Sequence, residues 1–393
     1  MKKVKALKII ALAMATVFAV GTISGCAGKG DGSTIKIGLL FAMSGPTAIT
    51  EDTMYKSAKL AVDEINEAGG INGKKLVTVE EDYATDAATA AEKMKKLIMQ
   101  DKVVATVGLY TSASRIAAAP VIEENNGILV YPTFYEGEKP SPNIVYTGIV
   151  PNQQGDLYVP WLVNNVGKKF FLLGTDTVYA ALINKQCSET LTTCGGTVVG
   201  EELVPSGHSD FSSTINKIKE SGADVIYCNL NGDSSVAFYK QYNSFGLRPD
   251  KTPIASFITD ESMVQALGAD LAKGHFTSVN YFNTVDTSEN KTYLEKYAKK
   301  YGSADGVTAV GESSYTSVML LAEALKKAKE LNTEEILKAF DNLEFDAPQG
   351  HVKIDAATHH IWAKARIGKV NGEGKFDVVF ESDDIIQPIP EKK

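Results

Sequence analysis

The sequence predicts an α/β protein of two lobes with parallel central sheets, joined by a multi-strand hinge. Three observations predict it. From Thr34 onward, short apolar, β-branched runs alternate with amphipathic stretches of a dozen or so residues, the pattern of βαβ units. The alternation breaks at Pro140-Ser141-Pro142-Asn143 and resumes near Phe170, so one sheet does not account for it. At roughly 150 residues per domain, the 393 residues suggest two domains or three.

The elements follow in order. A strand over 35–41 leads to a helix over 55–67, closed by Gly69-Gly70. A strand over 76–80, a helix over 87–100, a strand over 103–109, a helix over 112–125 and a strand over 127–131 complete the first set. The second set reads strand 169–174, helix 181–193, strand 197–204, helix 211–221, strand 224–230, helix 234–245 and strand 253–257. Then come a strand over 274–282, helices over 288–301 and 313–330, and a β-rich tail with strands at 352–354, 363–370 and 376–380. Asn371-Gly372-Glu373-Gly374 supplies a hairpin turn in that tail. A chain that leaves one α/β lobe and returns to it makes several crossings, and such a hinge suits closure on a ligand. The expected division is 34–148 plus 279–348 for the first lobe and 149–278 plus 349–393 for the second.

Ahead of the lobes, Lys2, Lys3, Lys5 and Lys8 precede an apolar run of 12 residues over 9–20, a signal-peptide core too short to span a bilayer. The run ends at Ile23-Ser24-Gly25-Cys26, which resembles the lipobox of bacterial lipoproteins. That resemblance implies that residues 1–25 are removed and that Cys26 becomes a lipid anchor, two or more acyl chains holding where one would not. The bland alternative is an ordinary cleaved signal with an incidental cysteine. Residues 26–33 are Gly-rich and polar, a flexible tether. The expected location is extracytoplasmic, on the cell membrane.

Charge narrows the function. The first 25 residues hold four lysines and no acid, so the other 368 carry 36 basic against 48 acidic side chains, a balance of −12. Such a surface repels phosphate backbones and anionic headgroups, which argues against nucleic acid and lipid surfaces as partners. Cys187 and Cys194, seven apart on one predicted helix, lie about 10 Å apart, beyond the usual separation for a disulfide unless the helix ends before Cys194, as Gly195-Gly196 would allow. His208, His275, His351, His359 and His360 are scattered without metal-ligand spacing and read as structural. No phosphate loop, zinc-protease signature or nucleophile elbow is present, so neither a cofactor nor a catalytic apparatus is expected.

In open parallel sheets, ligands sit beyond the carboxyl ends of the strands. Here those ends are hydroxylic and aromatic: Ser44-Gly45-Pro46-Thr47, Tyr110-Thr111-Ser112, Tyr131-Pro132-Thr133, Asp176-Thr177-Val178-Tyr179, Asn229-Leu230-Asn231-Gly232-Asp233 and Thr259-Asp260-Glu261. Hydroxyls both donate and accept, so the set suits a small neutral polar solute better than a strong anion. Each residue alone is equally at home as a helix cap or turn. The candidates are Ser44, Tyr110, Ser112, Tyr131, Thr133, Asp176, Thr177, Tyr179, Asn231, Asp233 and Glu261.

Several stretches carry a resemblance. They are Gly38-Leu39-Leu40-Phe41-Ala42-Met43-Ser44-Gly45, Asp63-Glu64-Ile65-Asn66-Glu67-Ala68-Gly69-Gly70, Thr111-Ser112-Ala113-Ser114-Arg115, Tyr131-Pro132-Thr133-Phe134-Tyr135-Glu136-Gly137 and Phe345-Asp346-Ala347-Pro348-Gln349-Gly350. Across nearly the whole mature chain the sequence resembles the type I periplasmic solute-binding proteins of bacterial ABC importers, near the leucine/isoleucine/valine binders. It looks most like the branch that binds urea and short-chain amides. The resemblance implies two Rossmann-like lobes, a monomer, and an ABC permease as partner. Carried over, its ligand contacts fall on Tyr110, Ser112, Tyr131, Thr133 and Tyr179. The chain departs from the family at Thr177, where an aromatic is usual, at Ala180-Ala181 in place of Pro-Arg, and at Leu109 before Tyr110. The lost ring leaves room for a solute larger than urea, or for closure by another residue.

The expected function is capture of urea or a short-chain amide between closing lobes and delivery to a permease. The nearest rival is a branched-chain or other small amino acid, its carboxylate on Ser112 and Thr133 and its ammonium on Asp176, Asp233 or Glu261. A sensor domain acting through a partner protein is a further alternative.

Overall fold

A computed structural model describes residues 33–390. The expected export signal, Cys26 and most of the expected tether lie outside them. Among the described residues no helix is long and apolar enough to cross a membrane.

The first sheet grows from alternating strands and helices. Its elements are β1 (Thr34–Phe41), α1 (Ala48–Glu67), β2 (Lys75–Asp82), α2 (Ala87–Lys96), β3 (Thr106–Gly108), α3 (Ser112–Glu124), β4 (Leu129–Tyr131) and β5 (Ile144–Tyr146). The strand order is β2-β1-β3-β4-β5, every pair parallel. β3 and β4 are buried throughout, as expected of strands covered by helices on both faces.

The second sheet takes α4 (Gly155–Asn165), β6 (Lys169–Thr175), α5 (Val178–Cys194), β7 (Thr197–Val204), α6 (Ser212–Ser221), β8 (Val225–Asn229), α7 (Gly232–Ser244), β9 (Ile254–Ser256), α8 (Glu261–Leu267), α9 (Ala269–Ala272) and β10 (Phe276–Val279). The chain then returns through α10 (Ser288–Tyr301), α11 (Ala309–Lys327) and α12 (Thr333–Ala339). Nineteen-residue α11 is buried along most of its length and packs on α1, β3 and β4, completing the first lobe. Last come β11 (Glu344–Ala347), β12 (Gly350–Ile354), β13 (Ile361–Trp362), β14 (Arg366–Val370) and β15 (Phe376–Glu381).

The second sheet runs β15-β14-β10-β9-β8-β6-β7; β14 and β15 are antiparallel additions to a parallel core. β11, β12 and β13 form a separate antiparallel sheet. The residue before β13, His360, bridges Tyr146 at the edge of the first sheet. His359 and His360, from the stretch expected in the second lobe, meet the edge of the first sheet at Tyr146, whose N–H donates to the His359 carbonyl at 2.9 Å.

The hinge has its own polar core. Asn280 follows β10, and Gln349 comes from the Asp-Ala-Pro-Gln-Gly stretch; the Asn280 amide donates to Gln349 Oε1 at 2.7 Å. Gln349 Nε2 donates to Glu312 of α11 at 2.9 Å, and Arg366 of β14 donates to the Gln349 carbonyl at 2.9 Å. Two crossings, a first-lobe helix and a second-lobe strand therefore share one buried network. Burial pushes the Glu312 carboxyl up to about 7, against hydrogen bonds that favour the anion.

Candidate functional site

Between the lobes lies a cleft of about 590 Å³. Five helices begin on it. Their N-caps, Thr47 of α1, Thr111 of α3, Thr177 of α5, Asn231 of α7 and Asp260 of α8, all line it. Thr111, Thr177 and Asp260 cap by accepting a backbone N–H three residues on, at 3.1, 3.2 and 2.9 Å. Helix N-termini carry partial positive charge, so the cleft is positively biased without a cation. Among the described residues lining it there is no Lys, Arg or His, and the formal charges are those of Asp233 and Asp260.

Tyr110, Ser112, Thr133, Thr177, Tyr179, Asn231 and Asp233 all line this cleft. The other four residues expected there from sequence do not. Ser44 is exposed, its hydroxyl donating to Asp82 at 2.7 Å. Asp176 is exposed beside the cap Thr177. Tyr131 is buried behind the wall: its hydroxyl donates to the Tyr110 carbonyl at 2.8 Å, which holds Tyr110 in place. Glu261 turns away from the cleft, accepting the Asn283 N–H at 2.9 Å, and burial pushes it up to about 8. Its neighbour Asp260 takes the lining position. The signal was available, since aspartate is a preferred N-cap and the cap is the residue that faces the ligand end of the strand.

The first-lobe wall is held from beneath. Glu51 is fully buried and accepts from the Ala42 N–H at 2.8 Å and the Thr47 and Tyr83 hydroxyls at 2.6 Å each. Burial pushes Glu51 up to about 7. Tyr83 in turn accepts the Tyr110 N–H at 3.2 Å. Just before Tyr110, Leu109 has φ +63°, a left-handed conformation that a leucine adopts only under constraint. Gly108 makes that turn passable, because a Cβ there would stand 2.1 Å from the Leu40 carbonyl oxygen. On the next strand end, a Cβ at Gly148 would stand 2.1 Å from the Thr133 carbonyl, so the return chain packs directly behind Thr133.

Ser112 donates to Glu136 Oε2 at 2.6 Å, and Arg115 Nη2 donates to Glu136 Oε1 at 2.7 Å. Arg115 and Glu136 form an ion pair whose side chains are each 1% exposed. The Arg115 guanidinium lies 4.2 Å from the Tyr135 ring centroid. Glu136 also reaches the other lobe: its carbonyl accepts from Gln186 of α5 at 2.9 Å.

Besides Tyr110, two aromatic rings line the cleft, Phe134 from the first lobe and Tyr179 from the second, with centroids 6.0 Å apart. Phe134 thus supplies an aromatic wall where Thr177 has none. Ile49, Val178, Val236, Ile258 and Met263 add apolar surface. Two buried polar atoms on lining residues lack a protein partner: the Tyr179 hydroxyl and Asn229 Oδ1. Burial, with smaller contributions from the Asp260 and Glu51 charges, pushes the Tyr110 hydroxyl well above its ordinary value. Cys187, Cys194 and Cys228 are unpaired, and the described residues contain no group of ligands fit for a metal.

The curated Leu/Ile/Val-binding protein homolog 8 of Brucella abortus is 27% identical over 339 residues, covering 80% of this chain and 81% of that protein. The branched-chain amino acid transporter substrate binding protein LivJ from Streptococcus pneumoniae, solved with isoleucine, is 28% identical with a TM-score of 0.79, covering 90% of this chain and all of that one. A solute binding protein of an ABC transporter from Rhodopseudomonas palustris BisB5, solved with 3,4-dihydroxybenzoic acid, shares the fold with a TM-score of 0.83 at 24% identity, covering 91% of this chain and 99% of that one. These relatives are binding proteins of transport systems rather than enzymes. The sequence profile described as periplasmic binding protein domain matches residues 35–392, and the chain belongs to that family.

Proposed function

We propose that the protein is the extracytoplasmic receptor of an ABC importer, anchored through Cys26, that captures a small solute of zero net charge between its lobes and hands it to a permease. The observation that carries this is the charge pattern of the cleft. Helix N-termini and hydroxyls are set against Asp233 and Asp260, with no basic side chain among the described lining residues. A simple anion finds no counter-ion there, whereas a zwitterion or a neutral amide finds partners for both ends. Contacts are assigned to Tyr110, Ser112, Thr133, Thr177, Tyr179, Asn231, Asp233 and Asp260.

Size favours an amino acid with an apolar side chain. Even at about 30 Å³ for each of its heavy atoms, urea fills about 120 Å³, a small part of the cleft. The rings of Phe134 and Tyr179 with Ile258 and Met263 give a hydrocarbon side chain a surface to bury. The hydroxyl-rich first-lobe wall supports the second reading, a short-chain amide or urea. Isothermal titration of the refolded protein with isoleucine, leucine, alanine, acetamide, urea and benzoate tests both. Micromolar or tighter binding of an amino acid is the expected result. Binding of acetamide or urea alone establishes the second reading, and binding of benzoate alone removes the zero-charge proposal.

A further inference from the structure

The first-lobe wall has a hydrogen-bond polarity that its residue types do not reveal. A serine or threonine hydroxyl has one proton to give and lone pairs to receive. Ser112 spends its proton on Glu136 Oε2, 2.6 Å away, and both residues are buried. Glu136 has no proton to return, because its other oxygen is paired at 2.7 Å with Arg115, a guanidinium that stays charged. Thr133 repeats the arrangement, giving its proton to the Leu109 carbonyl at 3.2 Å. The left-handed turn at Leu109 is part of what presents that carbonyl. Toward the cleft both hydroxyls offer lone pairs only.

Resting on the reading of a zero-charge solute, we propose that Glu136 is a specificity-determining positioning residue: by drawing the Ser112 proton out of the cleft it makes Ser112 and Thr133 an acceptor pair, so the solute end that meets this wall is a nitrogen bearing N–H groups, an ammonium or a primary amide. A carboxylate at the same place finds no hydroxyl proton and is left with only the N-terminal backbone N–H groups of α3. This reverses the assignment that serine and threonine invite by type, a carboxylate on Ser112 and Thr133. Asp260 lines the same cleft. Donors for the solute's oxygens remain in the Tyr179 hydroxyl, unpartnered within the protein, and in the N-termini of α3, α5 and α7.

Two measurements test this. Neutron diffraction from the deuterated protein without ligand locates the Ser112 deuteron. It is expected on the line to Glu136, and a deuteron pointing into the cleft overturns the proposal whatever the protein binds. Titration calorimetry then compares matched probes, acetamide with acetate and isoleucine with 3-methylpentanoate, in the wild type and in Glu136→Gln. A glutamine amide donates to Ser112 and frees its proton toward the cleft. The wild type is expected to prefer the nitrogen-bearing member of the bound pair at least tenfold, and Glu136→Gln to cut that preference at least tenfold. Equal affinities within the pair in the wild type overturn the proposal. Failure of all four probes to bind counts against the solute reading instead, and the neutron result alone decides the role of Glu136. Should Glu136→Gln fail to fold around the unpaired Arg115, Ser112→Ala is the second variant, expected to lose most of the wild-type preference; a preference left intact overturns the proposal.

Discussion

Tyr135 donates its hydroxyl proton to Nε2 of His360 across 2.7 Å, a bond between residues 225 apart in sequence. The direction follows from the other ring nitrogen. Nδ1 lies 2.7 Å from the Thr358 carbonyl, which only accepts, so Nδ1 carries the proton and Nε2 receives one. The imidazole stacks on Tyr146 with centroids 4.1 Å apart and planes within 7°. Tyr135 is the same ring that carries the Arg115 guanidinium on the way to Glu136 and Ser112. The small antiparallel sheet is thereby coupled to the cleft wall.

Burial pushes His360 down to about 4 from an ordinary 6.5. Between those values the unfolded chain binds the proton and the folded one does not. The stability contributed by the neutral imidazole is therefore complete above pH 6.5 and is lost as pH falls toward 4. His275, pushed down to about 3 by burial, adds to the same acid limb. Urea denaturation of His360→Gln against wild type from pH 4 to 7 should show the variant less stable at pH 7, with the gap narrowing on acidification. A constant gap refutes the linkage.

Glu51 runs the opposite way. Its folded value of about 7 lies above the ordinary 4.5, so its stabilising contribution is complete below 4.5 and is lost as pH rises through 7. Glu51→Gln imitates the protonated acid. The variant should match wild type near pH 5 and gain on it by pH 9, by on the order of 3 kcal/mol at most. Denaturation midpoints across that range check it, and parallel pH curves would show that Glu51 is ionised throughout.

The unpartnered Tyr179 hydroxyl separates folding from binding. Tyr179→Phe removes a buried polar atom that no protein group satisfies, so the melting temperature should hold or rise. Affinity for the bound solute should fall about tenfold, the value of a hydrogen bond to a polar group. Unchanged calorimetric affinity would take Tyr179 out of the contact set.

At the hinge, Gln349→Ala strips partners from Glu312 and Asn280 together. Leaving two buried polar groups unmatched should cost about 2–4 kcal/mol of unfolding free energy in chemical denaturation. A loss below about 0.5 kcal/mol would mean that water replaces the amide.

The sequence pattern carried most of the architecture because βαβ repeats declare themselves through long apolar periods. What it hid were short or contrary segments. β5 spans only Ile144–Tyr146, too few residues for an alternation to register. α4 contains Pro160, which reads as a breaker, yet the helix continues through it. α1 begins at Ala48 rather than near 55, because its first turn is held by the Glu51 network rather than by an apolar face. In the cleft, residue type located the hydroxyls but not their direction: Glu136 and Leu109, which orient Ser112 and Thr133, act through a buried ion pair and a left-handed turn. The substitution at Thr177 was legible as a missing ring; that Phe134 lies in the same cleft was not.

β14 and β15, the last strands made, close one edge of the second sheet on β10, and α11 covers α1 only after some 240 intervening residues. A nascent chain therefore leaves the ribosome with an unpaired β10 edge and an uncovered α1 face until synthesis is nearly complete. Open strand edges are templates for aggregation. Truncations that remove only the final hairpin should therefore yield insoluble protein, not a smaller receptor.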